Sequence, residues 1–206
     1  TVAVIAVHIG GIISSHWQEI QNICEQEGLL LIEDAAHAHG ATIEGKMAGS
    51  LGIAGAFSFY PTKVLTTGEG GMITTNSNRI YERSLILREH GKKNPKYNLH
   101  TELGHNWRFS EFHALLGLLE MERCKKIIKK RQRLAQMYND ALQEVDGISL
   151  IKQSEKIKSP YYKYIVYLDD KYERDKIKTK LKNDFKVSLP GEVYSQLCHS
   201  QPVFNK

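Results

Sequence analysis

The chain has 206 residues, with 28 Lys and Arg against 23 Asp and Glu and nine histidines, for a formal net charge of +5. Apolar residues make up 41% and charged residues 25%, a globular balance that argues against wholesale disorder. No apolar run approaches the roughly 18 residues that a membrane span requires. Cys24, Cys124 and Cys198 are odd in number and far apart. That pattern argues against a disulfide framework or a CxxC metal site and fits a reducing, cytoplasmic compartment. The first residues carry no initiator Met and no basic-then-apolar leader, so export is not expected from them.

Thr1 to Val7 is continuous apolar sequence, as expected of a strand buried on both faces of a parallel sheet. Such a strand either opens the fold or belongs to a longer chain. After Gly10-Gly11, the Ser15/Gln18 pair predicts a capping box, and Trp17, Ile20, Ile23 and Cys24 fall on one face of a helix that stops at Gly28. A strand over Leu29 to Ile32 then leads into Glu33-Asp34. This strand-helix-strand unit predicts a parallel sheet whose ligand crevice lies beyond the carboxyl ends of its strands. A glycine-rich connection leads to strands over Ala54 to Tyr60 and Gly71 to Thr75, and Asn76 or Ser77 caps a helix ending at His90-Gly91.

Beyond a polar loop, Ser110 is a cap for a helix carrying Phe112, Leu115, Leu116 and Leu119, followed by a longer helix closed at Asp146-Gly147. A strand (Tyr161 to Leu168), a helix (Lys171 to Leu181) and a short strand (Phe185 to Leu189) complete an unfinished α+β unit. Residues 1–123 are expected to form part of one large domain, and 124–206 a linking helix with an incomplete small domain. The helix from Cys124 to Arg133 holds six basic residues in ten. No aromatic residues interleave them, so a solvated face explains the run better than nucleic-acid binding. Gly68-Glu69-Gly70-Gly71 lacks dinucleotide-loop spacing and predicts a tight turn with positive φ. The tyrosines from Tyr161 to Tyr167 are expected as strand residues.

The densest chemical signal is the pair of segments from Ile32 to Gly40 and from Phe57 to Lys63. Each follows a predicted strand, which places Asp34 and Lys63 at one sheet edge among small residues. A lysine amine and a carboxylate in that setting suit pyridoxal phosphate, whose chemistry needs an amine for the Schiff base and an acid partner for the ring nitrogen. Ala35 and Ala36 leave room for a flat ring, and Ser58 offers a hydroxyl to phosphate.

The runs EDAAHAHGA, FSFYPTK, GEGGMITTN and GHNWRFSE, in that order, resemble the DegT/StrS family of pyridoxal-phosphate-dependent nucleotide-sugar aminotransferases. The resemblance implies an α/β chain of the fold type I, aspartate-aminotransferase class: the central part of the large domain plus part of the small C-terminal α+β domain. It implies that Lys63 forms the Schiff base, Asp34 faces the pyridine nitrogen, His37 bonds the phenolic oxygen and Ser58 the phosphate. Asn106, or Arg108 beside it, would reach the cofactor phosphate of the neighbouring subunit in a homodimer with shared sites. Many members carry Gln at the position of His37. The implied reaction is transamination of a nucleotide-linked keto sugar, with glutamate or glutamine as donor. Sugar dehydratases of the family replace the lysine with histidine, so Lys63 counts against that alternative, and a non-catalytic or basic nucleic-acid-binding fragment is the other. Family members have an upstream portion with the main phosphate loop and a stacking ring, so the chain is expected to be an internal fragment.

Overall fold

The computed structural model describes residues 1–189 and 197–204. Its centre is a four-stranded sheet in the order β1 (Ala3–Val7), β2 (Leu30–Asp34), β5 (Ala54–Ser58), β6 (Gly71–Thr75). The β1–β2 and β2–β5 pairs are parallel, and β6 runs antiparallel to β5. Helix α1 (Trp17–Gln26) makes the crossover from β1 to β2. It presents Trp17 and Cys24 to a core shared with Ile13, Leu31, Ala35 and Leu51.

The expected capping box does not form. His16 is the N-cap without a side-chain hydrogen bond, while Ser14 Oγ accepts the His16 N–H at 3.2 Å. The helix starts one residue later than the box requires, with Trp17, its first residue, in the core. Nor is β1 buried on both faces: Val4 and Ala6 pack against the core, whereas Ile5 is 65% exposed and Val7 53% on the other face, which carries no packed layer among the described residues.

The glycine-rich connection contains a small hairpin, β3 (Thr42–Ile43) and β4 (Lys46–Met47), turned by Glu44 and Gly45 at φ 50° and 80°. Strand β8 (Ile157–Lys158) joins it, tying the second half of the chain to the first. Helix α2 (Asn78–Arg88) is capped by Ser77, whose hydroxyl accepts the Ile80 N–H. The two expected helices after Ser110 are one, α3 (Glu111–Leu142), since no proline interrupts the run and Gly117 alone is too weak a breaker.

Ile128 of α3 lies against Gly40, where a Cβ would come within 2.3 Å of its Cδ1. Strands β7 (Ile148–Leu150) and β9 (Val166–Leu168) pair antiparallel, and α4 (Arg174–Phe185) follows. The expected strand from Tyr161 is therefore only its last three residues. The one expected over Phe185 to Leu189 is absent: Phe185 ends α4, and Lys186 at φ 58° turns the chain away from an extended path. No helix of the described residues is long and apolar enough to cross a membrane.

Candidate active site

Because β1, β2 and β5 are parallel and in register from Val7 to Asp34 to Ala56, their carboxyl ends meet at one edge. Asp34 is the last residue of β2. Its carbonyl accepts the His8 N–H at 3.1 Å, and the next amide, Ala35 N–H, donates to Ala56 O at 2.9 Å, so both neighbouring strands clamp this position. Its Oδ1 accepts the Ala36 N–H at 3.1 Å, an Asx turn that swings the chain off the sheet and keeps the carboxylate at the edge. After β5, the Ser58 hydroxyl accepts the Tyr60 N–H at 3.3 Å, and the Lys63 N–H closes a turn onto Tyr60 O at 3.0 Å.

His37 comes next to these groups, 9% exposed. The Gly10 N–H donates to its Nδ1 at 3.3 Å, and the ring of Tyr162 stacks on it at 4.2 Å and 27°. Tyr162 also shares a 3.0 Å hydrogen bond with Thr62 Oγ1, and Lys63 Nζ lies 5.1 Å from its ring centroid. Lys163 Nζ stands 5.3 Å from the same ring. Burial, joined by the charge of Lys63 and opposed by that of Asp34, pushes the His37 pKa down to about 4.

Tyr162 was missed as a site residue, since the alternating tyrosines suit a strand. Pro160 and the positive φ of Tyr161 (50°) break the extended path there. The segment is held by α3: Gln132 Nε2 donates to Ser159 O at 3.0 Å, Arg131 to Tyr161 O at 3.1 Å, and Tyr164 to Asn139 Oδ1 at 2.8 Å. Part of the basic run thus works inside the fold.

Glu33 was also missed. Strand alternation turns its side chain to the face opposite Asp34, where it is fully buried. Its Oε1 accepts the Leu51 and Gly52 N–H groups at 2.7 and 2.8 Å; its Oε2 accepts the Gly49 N–H at 2.7 Å and meets His8 Nε2 at 2.9 Å. Burial alone would raise its pKa, but His8 and the three amides more than offset that and leave it below the ordinary carboxylate value. The sequence signal was a carboxylate inside a strand, followed by a glycine-rich loop able to offer bare amides.

His39 is buried between Phe57 and Phe59, at centroid distances of 5.3 and 5.7 Å, and burial lowers its pKa to about 4. The structure thus gathers Asp34, His37, Ser58 and Lys63 at the ends of adjoining strands. Asn106 stands apart: it is exposed, bridges Glu89 through backbone, and makes no hydrogen bond or ion pair with that group. Arg108 is engaged by Glu89 Oε1 at 2.9 Å.

This donor set fits pyridoxal phosphate. Lys63 and Asp34 both lie close enough to His37 to act on its charge, and Ser58 ends the adjoining strand; Ala35, expected to leave room for a flat ring, is instead fully buried in the core. No cluster of three His, Cys, Asp or Glu able to hold a metal occurs among the described residues.

The chain is 34% identical over 206 residues to a GDP-perosamine synthase of Vibrio cholerae, covering 99% of the chain and 55% of that protein. It is 34% identical over 151 residues to the putative pyridoxal phosphate-dependent aminotransferase EpsN of Bacillus subtilis, covering 73% and 39%. The crystal structure of S. venezuelae DesV in complex with a ketimine intermediate superposes with TM-score 0.88 at 28% identity, over all of this chain and 53% of that one. The chain therefore spans about half the length of its relatives and has part of the fold type I aminotransferase architecture. The family model covers residues 1–206 throughout, and the chain belongs to the DegT/DnrJ/EryC1/StrS aminotransferase family.

Proposed function

We propose that the chain is the central part of a pyridoxal-phosphate-dependent aminotransferase that moves an amino group from glutamate or glutamine to a nucleotide-linked keto sugar. The supporting observation is the convergence of Lys63, Asp34 and His37 where the ends of β2 and β5 adjoin. When bound, the cofactor supplies an aldehyde for the lysine and a protonated ring nitrogen that draws electrons from the substrate carbon. Lys63 would provide the amine that holds the cofactor and would carry the proton to and from the substrate carbon. Asp34 would keep a proton at the ring nitrogen, since an ionised carboxylate favours the charged form. His37 would donate to the phenolic oxygen and Ser58 to the phosphate. Val64 and Leu65, both buried, anchor the turn that presents Lys63.

Asn106, exposed here, is assigned to the phosphate of a neighbouring subunit in a homodimer. Residues 1–123 belong to the cofactor-binding domain and 124–206 to the linking helix and small domain, and the enzyme works in the cytoplasm. Lys63 stands where a dehydratase would need histidine, which favours transamination.

Borohydride treatment of the purified protein with pyridoxal phosphate tests the reading. A pyridoxyl group on the Lys63 peptide, lost in Lys63→Ala, is expected. A label on another lysine would overturn the assignment.

A further inference from the structure

We propose that the Gly10 amide and the Tyr162 ring act as positioning groups that fix His37 as its Nε2–H tautomer, so that it presents an invariant hydrogen-bond donor at the sheet edge. The Gly10 N–H points at His37 Nδ1 at 3.3 Å. An N–H can donate only to a nitrogen with a lone pair, so Nδ1 carries no proton, and a neutral imidazole then carries its one proton on Nε2. Protonating Nδ1 would set two N–H groups against each other.

The amide has little freedom to turn aside. Gly10 sits at φ 66°, in the left-handed region, and a Cβ there would meet Ile165 Cδ1 at 2.8 Å. Its carbonyl accepts the Lys163 N–H at 3.3 Å, and the Gly11 N–H returns to His8 O at 3.0 Å. His8 is in turn held by the buried Glu33 carboxylate at 2.9 Å. On the other side Tyr162, tied to Thr62, sets the ring plane.

Lys63 and Lys163 face the imidazole and oppose a positive charge on it. Asp34 favours one, His39 close by has its own pKa lowered to about 4, and burial decides the balance against the cation. A neutral Nε2–H is an uncharged hydrogen-bond donor. It therefore keeps a phenolate ionised without changing state near neutral pH; that last clause rests on the cofactor reading above, while the tautomer itself does not.

The test is long-range proton–nitrogen NMR of the histidine-labelled protein without added cofactor, with His37→Gln identifying the His37 signals among the nine histidines. A bare Nδ1 and a protonated Nε2, unchanged between about pH 5.5 and 8, are expected. In Tyr162→Ala the tautomer should persist, but the titration midpoint should climb by at least about one pH unit as water reaches the ring. Tyr162→Phe should leave both unchanged. An Nδ1–H pattern, or a midpoint near the ordinary histidine value in the parent protein, would overturn the assignment. An unmoved midpoint in Tyr162→Ala would remove Tyr162 from it. Since no cofactor is present, these outcomes are separate from the borohydride labelling of Lys63.

Discussion

Glu33 and Asp34 show how two adjacent carboxylates take opposite work from strand alternation alone. Asp34 faces the ligand edge, whereas Glu33 is spent on three amides and His8. Glu33→Ala would leave those four groups buried without their partner, so a loss of about 3–5 kcal/mol is expected in urea unfolding. A loss under about 1 kcal/mol would show that water replaces the carboxylate. Glu33, His37 and His39 set an acid limit. His37 and His39 have folded pKa values near 4 against 6.5, so between those values the unfolded chain binds more protons. Stability is thus full above about pH 6.5 and falls as pH drops through that window, by about 1.4 kcal/mol per pH unit for each histidine. Glu33, with its folded pKa depressed, adds stability above its unfolded value of 4.5 that is lost as pH falls through the folded one. Urea midpoints that stay level from pH 7 to about pH 5 would contradict two neutral histidines. Asp34 and Lys63 were legible in the sequence because each closes a strand-like run with polar residues. His37 was legible only through its resemblance to a family motif. Tyr162 was not, because its neighbours satisfy strand alternation and its place is decided by α3, where Arg131 holds the carbonyl of Tyr161 from 30 residues away.

At the scale of elements, the inner strand β5 begins with the small residues Ala54, Gly55 and Ala56 for a reason visible at Gly55. A Cβ there would stand 2.5 Å from Gly49 Cα and 3.1 Å from Gly49 O. The loop that offers its amides to Glu33 therefore lies directly on the strand. Gly55→Ala should push the loop away and cost about 1–3 kcal/mol by overpacking, read as a lower thermal midpoint. An unchanged midpoint would mean that the loop yields freely. The β-α-β unit was readable from chain order, since a buried apolar strand, an amphipathic helix and a second strand admit few arrangements. The hairpin of β3 and β4 was hidden because two-residue strands carry no periodicity. Continuity of α3 was hidden because its apolar stripe changes face along its length, which mimics two shorter helices.

For the whole molecule, the first half of α3 exposes a run of large apolar residues among the described residues: Phe112 is 87% exposed, Leu118 65% and Met121 60%. Together with the open edge of β1 this exceeds the scattered apolar exposure of an ordinary monomer surface. Purified chain should accordingly self-associate in sedimentation velocity, and Phe112→Glu should shift it toward monomer; a monodisperse monomer at high concentration would refute this. The hydrogen bond between Thr62 and Tyr162 crosses 100 residues of chain. During synthesis at about 5–20 residues per second, Tyr162 is made roughly 5–20 s after Lys63. Through that interval the lysine has no ring beside it, and the sheet edge is as open as it will ever be. The first half of the chain therefore presents this edge to solvent before Tyr162 arrives to stack on His37.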